Sequence, residues 1–426
     1  MTTTQTQTLG SIISISKGKK HSITDEPISS SRRLLGIDDL RNDNLLRYTD
    51  DTNGIEVLPH DVLIAWDGAN AGTIGFGKTG MIGSTIARLR IKDGKENSTP
   101  FLGLFLKSKF GYLCQTATGA TIPHISRQAL VGIELPKVKF DDQIRIAHLL
   151  SKVEGLIAQR KQHLQQLDEL LKSVFLEMFG DPVRNEKAWT LSPFSKLLLE
   201  IESGQSPVCE AREASAREWG VLKLGAVTKC YFQENENKAL PAGIEPQIRH
   251  EVKEGDLLFG RKNTYELVGA CAYVFRSRQK LLMPDLIFRF VFRDDAEVNP
   301  IFIWKLLTAE SQRKKIQSLA AGAAGSMPNI SKTNLKQAVI PVPPLELQNQ
   351  FAAIVKKVDS IKSRYQKSLT ELEALYGALS QKAFKGELDL SRVPLPVEST
   401  TVDTERLNHE RHEKHEISKR KTGVAV

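Results

Sequence analysis

The stretch Gly119-Ala120-Thr121-Ile122-Pro123-His124-Ile125-Ser126 recurs as Ala324-Gly325-Ser326-Met327-Pro328-Asn329-Ile330-Ser331, 205 residues further along a chain of 426. The offset then holds without a gap, pairing Leu130 with Leu335, Pro136 with Pro341, Gln143 with Gln348, Ala147 with Ala352, Val153 with Val358, Leu164 with Leu369 and Phe179 with Phe384. One register kept from Gly119 to Phe179 marks a duplicated unit, and a duplication settles the architecture before any motif is read.

After Pro136 and after Pro341 the apolar spacing becomes that of a long helix. In the first copy Ile146, Leu150, Val153, Ile157, Arg160, Leu164, Leu167, Leu171, Val174 and Met178 step alternately by four and three, with Arg160 the one charged member. The second copy runs Phe351, Val355, Val358, Lys362, Tyr365, Leu369, Leu372, Tyr376, Leu379 and Ala383, broken in the same way by Lys362. A sustained 3.5-residue period keeps its seam against a partner helix only by supercoiling, so each helix requires a partner, and the economical one is the other copy.

The segments before the two helices read as mostly β with short helices, such as one over Pro300 to Leu319. They are loosely related: His60-Asp61-Val62-Leu63-Ile64 parallels Gly255-Asp256-Leu257-Leu258-Phe259, and Ile15-Ser16-Lys17-Gly18 parallels Ile201-Glu202-Ser203-Gly204. Each short apolar strand leads into a polar loop, Trp66-Asp67-Gly68-Ala69-Asn70 or Gly260-Arg261-Lys262-Asn263-Thr264-Tyr265. The class is α+β with an internal repeat. Its parts are 1–136, a helix in 137–180, 181–341, a helix in 342–390, and a Pro-, Thr- and charge-rich tail over 391–426 that reads as disordered.

Composition limits the function. With 59 Lys and Arg against 50 Asp and Glu the net charge is +9, and six of those charges fall in 1–136 and 181–341. That excess points weakly to a polyanion and locates it on the two β-rich segments rather than on the nearly neutral helices. The mean hydropathy of −0.27 and the absence of a long apolar run argue against a membrane protein, and MTTTQTQTLG lacks the features of a secretion signal, so a cytoplasmic location is expected. The four cysteines are scattered without a CxxC pair, which disfavours both a disulfide framework and a zinc site.

Enzyme motifs fail on context. Gly72-Thr73-Ile74-Gly75-Phe76-Gly77-Lys78-Thr79 matches the phosphate-loop pattern GxxxxGK[ST], but Gly80 and Gly83 follow where the phosphate-binding helix would start. A β-hairpin with a Gly-rich turn is expected there instead. His409, His412 and His415 form HxxHxxH in a heavily charged stretch that reads as solvated, and no metal site is assigned. Asp38-Asp39 and Asp141-Asp142 sit where turns and helix starts favour them. Pro343-Pro344 lacks the flanks of an amino-methyltransferase motif. No catalytic residue emerges.

Together the order segment–helix–segment–helix, the GATIPHIS and GSMPNIS junctions, Gln143 and Gln348 at the helix starts, and the pieces DVLIAWDGANAGTIG and GDLLFGRKNTYELVG resemble the DNA specificity (S) subunits of type I restriction–modification systems, over about residues 9 to 390. The resemblance implies two α/β target-recognition domains, each reading half of a split asymmetric site on double-stranded DNA, separated by two long antiparallel helices that form a coiled coil with pseudo-two-fold symmetry. It implies a non-catalytic chain without cofactors that docks two modification (methyltransferase) subunits, which carry S-adenosylmethionine and methylate adenine N6, and restriction (translocase and nuclease) subunits, which use ATP and Mg. A bipartite type IIB-like system would use a similar chain.

Side-chain chemistry then nominates the DNA contacts: Lys17, Lys19, Lys20, Asn70 and Lys78 in the first segment, and Arg261, Lys262, Asn263 and Tyr265 in the second. Thr121, His124, Ser326 and Asn329 read rather as turn residues. The partner-helix seam is expected at Ile146, Leu150, Val153, Ile157, Leu164, Leu167 and Leu171 on one helix and at Phe351, Val355, Val358, Leu369, Leu372 and Leu379 on the other.

Overall fold

The computed structural model describes residues 5–119, 121–321 and 327–396. The chain divides into two compact units, Met1–Gln159 with Ser368–Val426, and Arg160–Lys367. Two long helices, Phe140–Phe179 and Leu345–Lys385, each contribute one part to each unit. Among the described residues no helix is long and apolar enough to cross a membrane.

The first unit holds two four-stranded sheets beside a two-stranded pairing of Thr6–Thr8 with Glu134–Pro136. The strands of the larger sheets are β1 (Ile13–Lys17), β2 (Arg32–Leu35), β3 (Tyr48–Thr49), β4 (Glu56–Val57), β5 (Asp61–Ala65), β6 (Ile74–Phe76), β7 (Gly80–Ile82) and β8 (Ile86–Ile91). An antiparallel sheet runs β1-β8-β5-β6, and a mixed one runs β3-β2-β7-β4 with β2 and β7 parallel. Strand β5 joins them because side chains alternate faces. Val62 and Ile64 pack with the helix α1 (Thr99–Ser108), while Leu63 and Ala65 pack with Leu35 and Ile82 of the other sheet and with Ile86 at the start of β8. Burial on both faces explains why β5 reads as an unbroken apolar run.

The Gly-rich stretch differs from the expected hairpin. Strands β6 and β7 flank it but belong to different sheets, and the intervening Gly77 has φ +69°. No helix follows, since β7 starts at Gly80, where an added Cβ would lie 2.5 Å from the Arg33 carbonyl oxygen of the parallel neighbour β2. A phosphate loop needs free N–H groups at a helix start, and here the strand ladder takes that place. Both the wild-type chain and Lys78→Ala are therefore expected to show no ATP binding by equilibrium dialysis; binding that Lys78→Ala abolished would contradict this reading.

In the second unit β9 (Leu198–Ser203), β10 (Gly220–Leu222), β11 (Asn237–Ala239), β12 (Leu257–Gly260), β13 (Cys271–Tyr273), β14 (Leu281–Leu282) and β15 (Ile287–Phe292) form an antiparallel sheet β9-β15-β12-β13 and a mixed sheet β11-β10-β14. Leu257 and Phe259 of β12 face one core and Leu258 the other. The helix expected over Pro300 to Leu319 is two helices, α2 (Pro300–Thr308) and α3 (Glu310–Gln317), because the backbone turns extended at Ala309 (φ −60°, ψ 134°).

Two buried glutamines tie the long helices to these cores. Gln143 accepts from the Ser98 N–H at 2.8 Å and donates to the carbonyls of Glu96 and Val138 at 2.8 and 2.9 Å. Gln348 accepts from the Asn299 N–H at 2.8 Å and donates to those of Glu297 and Pro343 at 3.0 and 2.7 Å. Ser98 and Asn299 cap α1 and α2, so each amide satisfies backbone groups that a helix start and its preceding loop leave unpaired.

Within each unit the two long-helix segments run in opposite directions. In the second, Arg160 lies over the Tyr365 ring at 4.7 Å, Lys362 meets Asp168 at 2.6 Å, and Phe175 and Phe179 pack on Phe351 at 5.6 and 5.3 Å between ring centroids. In the first, the Tyr376 hydroxyl donates to Glu154 at 2.9 Å, and Ala383 shares a core with Ile146, Ala147 and Leu150. The charged breaks in the stripes are thus paired: Arg160 through its ring contact and Lys362 with Asp168. Of the expected seam, Ile146, Leu150, Val153, Leu171, Phe351, Val355, Val358 and Leu369 are buried, whereas Ile157, Leu164, Leu167, Leu372 and Leu379 are half-buried. Burial of the stripe does not follow the sheets alone: half-buried Leu167 and Leu379 pack against the two cores, while Leu369 is buried outside them.

Candidate nucleic-acid interface

In the first unit the loop after β5 is closed by the junction segment. The Ile125 N–H donates to the Trp66 carbonyl and the Gly68 N–H to the Pro123 carbonyl, both at 2.9 Å, while His124 and Thr118 exchange backbone bonds at 2.7 and 2.8 Å. This bridge brings His124 to Asp67, 57 positions away in sequence, with Nδ1 to Oδ1 at 2.6 Å. Lys17, at the end of β1, reaches the other oxygen of Asp67 at 2.7 Å. Desolvation opposes ionisation of this carboxyl, but hydrogen bonds from Lys17 and His124 outweigh it and hold Asp67 below its usual range. An ionised carboxylate only accepts, so the ring donates from Nδ1 and Nε2 remains without a partner among the described residues.

The other nominated residues of this unit are placed less simply. Lys19 and Lys20 are exposed just beyond β1. The Asn70 side-chain Oδ1 accepts from Arg41 at 2.7 Å. Lys78 lies at 2.8 Å from both oxygens of Asp43, which Arg33 also binds; the Lys78 bond, then that of Arg33, holds Asp43 below the usual carboxylate range. The structure does not bring Lys78 into the Lys17–Asp67–His124 group.

The second unit uses the same closure with other side chains. The Ile330 N–H donates to the Arg261 carbonyl at 2.8 Å, and Asn329 exchanges backbone bonds with Ala321 at 2.9 and 3.0 Å. Asn329 also forms a bridge with Lys262, as His124 does with Asp67. Arg261 Nε donates to Asn329 Oδ1 at 3.0 Å, and its guanidinium lies over the Phe288 ring at 5.1 Å, with Lys332 over the same ring at 5.5 Å. Asn263 is occupied in part by its bond to the Thr264 N–H at 2.8 Å. Tyr265 is 60% exposed.

His124 and Asn329 therefore do more than turn the chain: each joins its junction to the loop after the central strand. Sequence reasoning placed Asp67 in the polar loop after the strand but did not nominate it as a site residue. The signal was present in the repeat, because the loops and the junctions recur together. Thr121 is exposed; Ser326, His409, His412, His415 and most of the 391–426 tail lie outside the described residues.

Residues 1–169 and 231–374 match the family described as type I restriction modification DNA specificity domain. The chain belongs to the type I restriction–modification specificity subunits. It is 24% identical over 387 residues to the specificity subunit of the type I restriction enzyme MjaVIII from Methanocaldococcus jannaschii, covering 86% of this chain and 88% of that one. It is 25% identical over 308 residues to the EcoKI specificity subunit of Escherichia coli K12, covering 68% and 65%. In fold this specificity subunit is similar to the solved type I S subunit from M. genitalium, with a TM-score of 0.59 at 17% identity over 89% of this chain and 96% of the other.

Proposed function

We propose that this specificity subunit is the non-catalytic DNA-recognition and assembly component of a cytoplasmic type I restriction–modification complex. Residues 1–136 and 181–341 act as two target-recognition domains derived from one duplicated unit, and each reads one half of a split, asymmetric double-stranded site. The helices in 137–180 and 342–390 pair as an antiparallel coiled coil that sets the spacing. They also dock two methyltransferase subunits, which bring S-adenosylmethionine, and restriction subunits, which bring ATP and Mg.

The observation that carries this reading is the pair of bridged loops: one backbone closure used twice, with Lys17, Asp67 and His124 in one unit and Arg261, Lys262 and Asn329 in the other. Common closure with unlike side chains suits two readers of unlike half-sequences. Docking is supported by Leu156, Leu170, Leu176 and Leu375 on the long helices, large apolar side chains that stay 41–48% exposed.

The test is selection from a random duplex library by the chain assembled with its methyltransferase subunits. The expected product is a motif of two unlike half-sequences separated by an unread gap. Enrichment of no motif contradicts the reading.

A further inference from the structure

We propose that each unit reads bases with a side chain fixed by the contact between the junction and the loop after the central strand: Arg261 of the loop, held by Asn329 of the junction, in the second unit, with guanine as its partner, and His124 of the junction, held by Asp67 of the loop, in the first. The proposal rests on the DNA-recognition reading above and adds which residues carry the choice of base.

Arg261 is restrained at two points before any ligand arrives. Its Nε is used at 3.0 Å by Asn329 Oδ1 and its plane is set over Phe288 at 5.1 Å, which leaves the two terminal nitrogens as an oriented fork. A guanidinium fork matches the O6 and N7 acceptors that only guanine presents together in the major groove. A side chain already ordered loses less rotamer freedom on binding, so its hydrogen bonds contribute more fully to discrimination. Lys262 and Lys332 beside it are point charges suited to phosphate, which positions a duplex without reading it.

In the first unit the equivalent bridge holds His124. With Nδ1 committed to Asp67 at 2.6 Å, Nε2 is the ring atom left for a base edge. Lys17 at 2.7 Å offsets the Asp67 charge, so the carboxylate positions the ring without an uncompensated anion beside the phosphates. The backbone closure is common to both units while Asp67 stands opposite Lys262 and His124 opposite Asn329 in the repeat, so the scaffold is shared and the reading atoms are not.

The test uses the chain assembled with its methyltransferase subunits and compares selected motifs. Arg261→Ala is expected to lower discrimination at one G·C position of the second half-sequence by about 5- to 150-fold, the loss of one bidentate contact, with the first half-sequence unchanged. Asn329→Ala should relax that same position, and Asn329→Asp, which still accepts from Nε, should restore it. His124→Ala should relax one position in the first half-sequence only. An intact motif with Arg261→Ala overturns the proposal, as does a uniform loss of affinity across all sequences, the mark of a phosphate contact. If Arg261→Ala fails to assemble, Arg261→Lys decides, because it keeps charge and stem but loses the fork; an unchanged motif then overturns the proposal. A wild-type complex that selects a split motif while these variants change nothing refutes this assignment alone, whereas a wild type with no motif removes the recognition reading with it.

Discussion

Phe351→Ala is expected to destabilise the second unit by about 3–5 kcal/mol, the usual cost of removing a buried phenyl ring and leaving its cavity. Phe351 is wholly buried, and its ring meets Phe175 and Phe179 edge-on at 5.6 and 5.3 Å, while Phe175 and Phe179 also pack on Phe302 of α2 at 6.1 and 4.8 Å. The four rings thus join both long helices of this unit to the helix that covers its sheet. Truncation removes transfer energy, dispersion contacts and two ring pairings together, and close packing gives neighbours little room to fill the space. Leu199→Ala is the control, because that side chain is 67% exposed and its loss should fall within about 0.5 kcal/mol. Thermal unfolding followed by circular dichroism measures both. A cost for Phe351→Ala no larger than that of Leu199→Ala would mean that the aromatic cluster does not hold the helices to the sheet.

Adding four residues after Gln162 and four after Gln366 is expected to lengthen the unread gap of the DNA motif while leaving both half-sequences unchanged. The two sites lie opposite one another in the second unit, where the His163 and Tyr365 rings are 5.5 Å apart and Asp168 meets Lys362. Inserting in both helices keeps these pairs aligned, which inserting in one would not. At about 1.5 Å per residue the addition is roughly 6 Å, close to two base pairs of about 3.4 Å each. A four-residue insertion locally unwinds a 3.5-residue seam but does not turn it away from its partner. Motif selection with the assembled complex reads the result, and a gap of unaltered length would refute the helices as the spacer.

Much of the site could be located along the chain but not assembled from it. The Arg261-Lys262-Asn263 cluster was legible because a polar loop follows a short apolar strand, and the structure holds Arg261 at the end of β12 as that pattern implies. Its partner Asn329 was legible only as a recurring position, 68 residues away. Lys78 looked equivalent to Lys17 as a loop cation, yet the route of the chain between two sheets delivers it to Asp43. Side-chain type gives what a residue can bond, whereas sheet order decides what it meets.

By itself the sequence determined the long helices, through a 4-3 apolar spacing that only a helix presents as one stripe, and the central strands, through short apolar runs that a strand buried on both faces requires. The offset of 205 likewise marked the junctions as elements used twice. Tertiary structure alone decided that Asp67 would lie between Lys17 and His124, that Asn329 would hold Arg261, and that Arg160 and Lys362 would be paired rather than stranded in the stripe. The physical reason is range. Periodicity and turn chemistry act within a few residues, but these contacts join positions tens to hundreds of residues apart, and only the packing of sheets and helices brings such positions within hydrogen-bond distance.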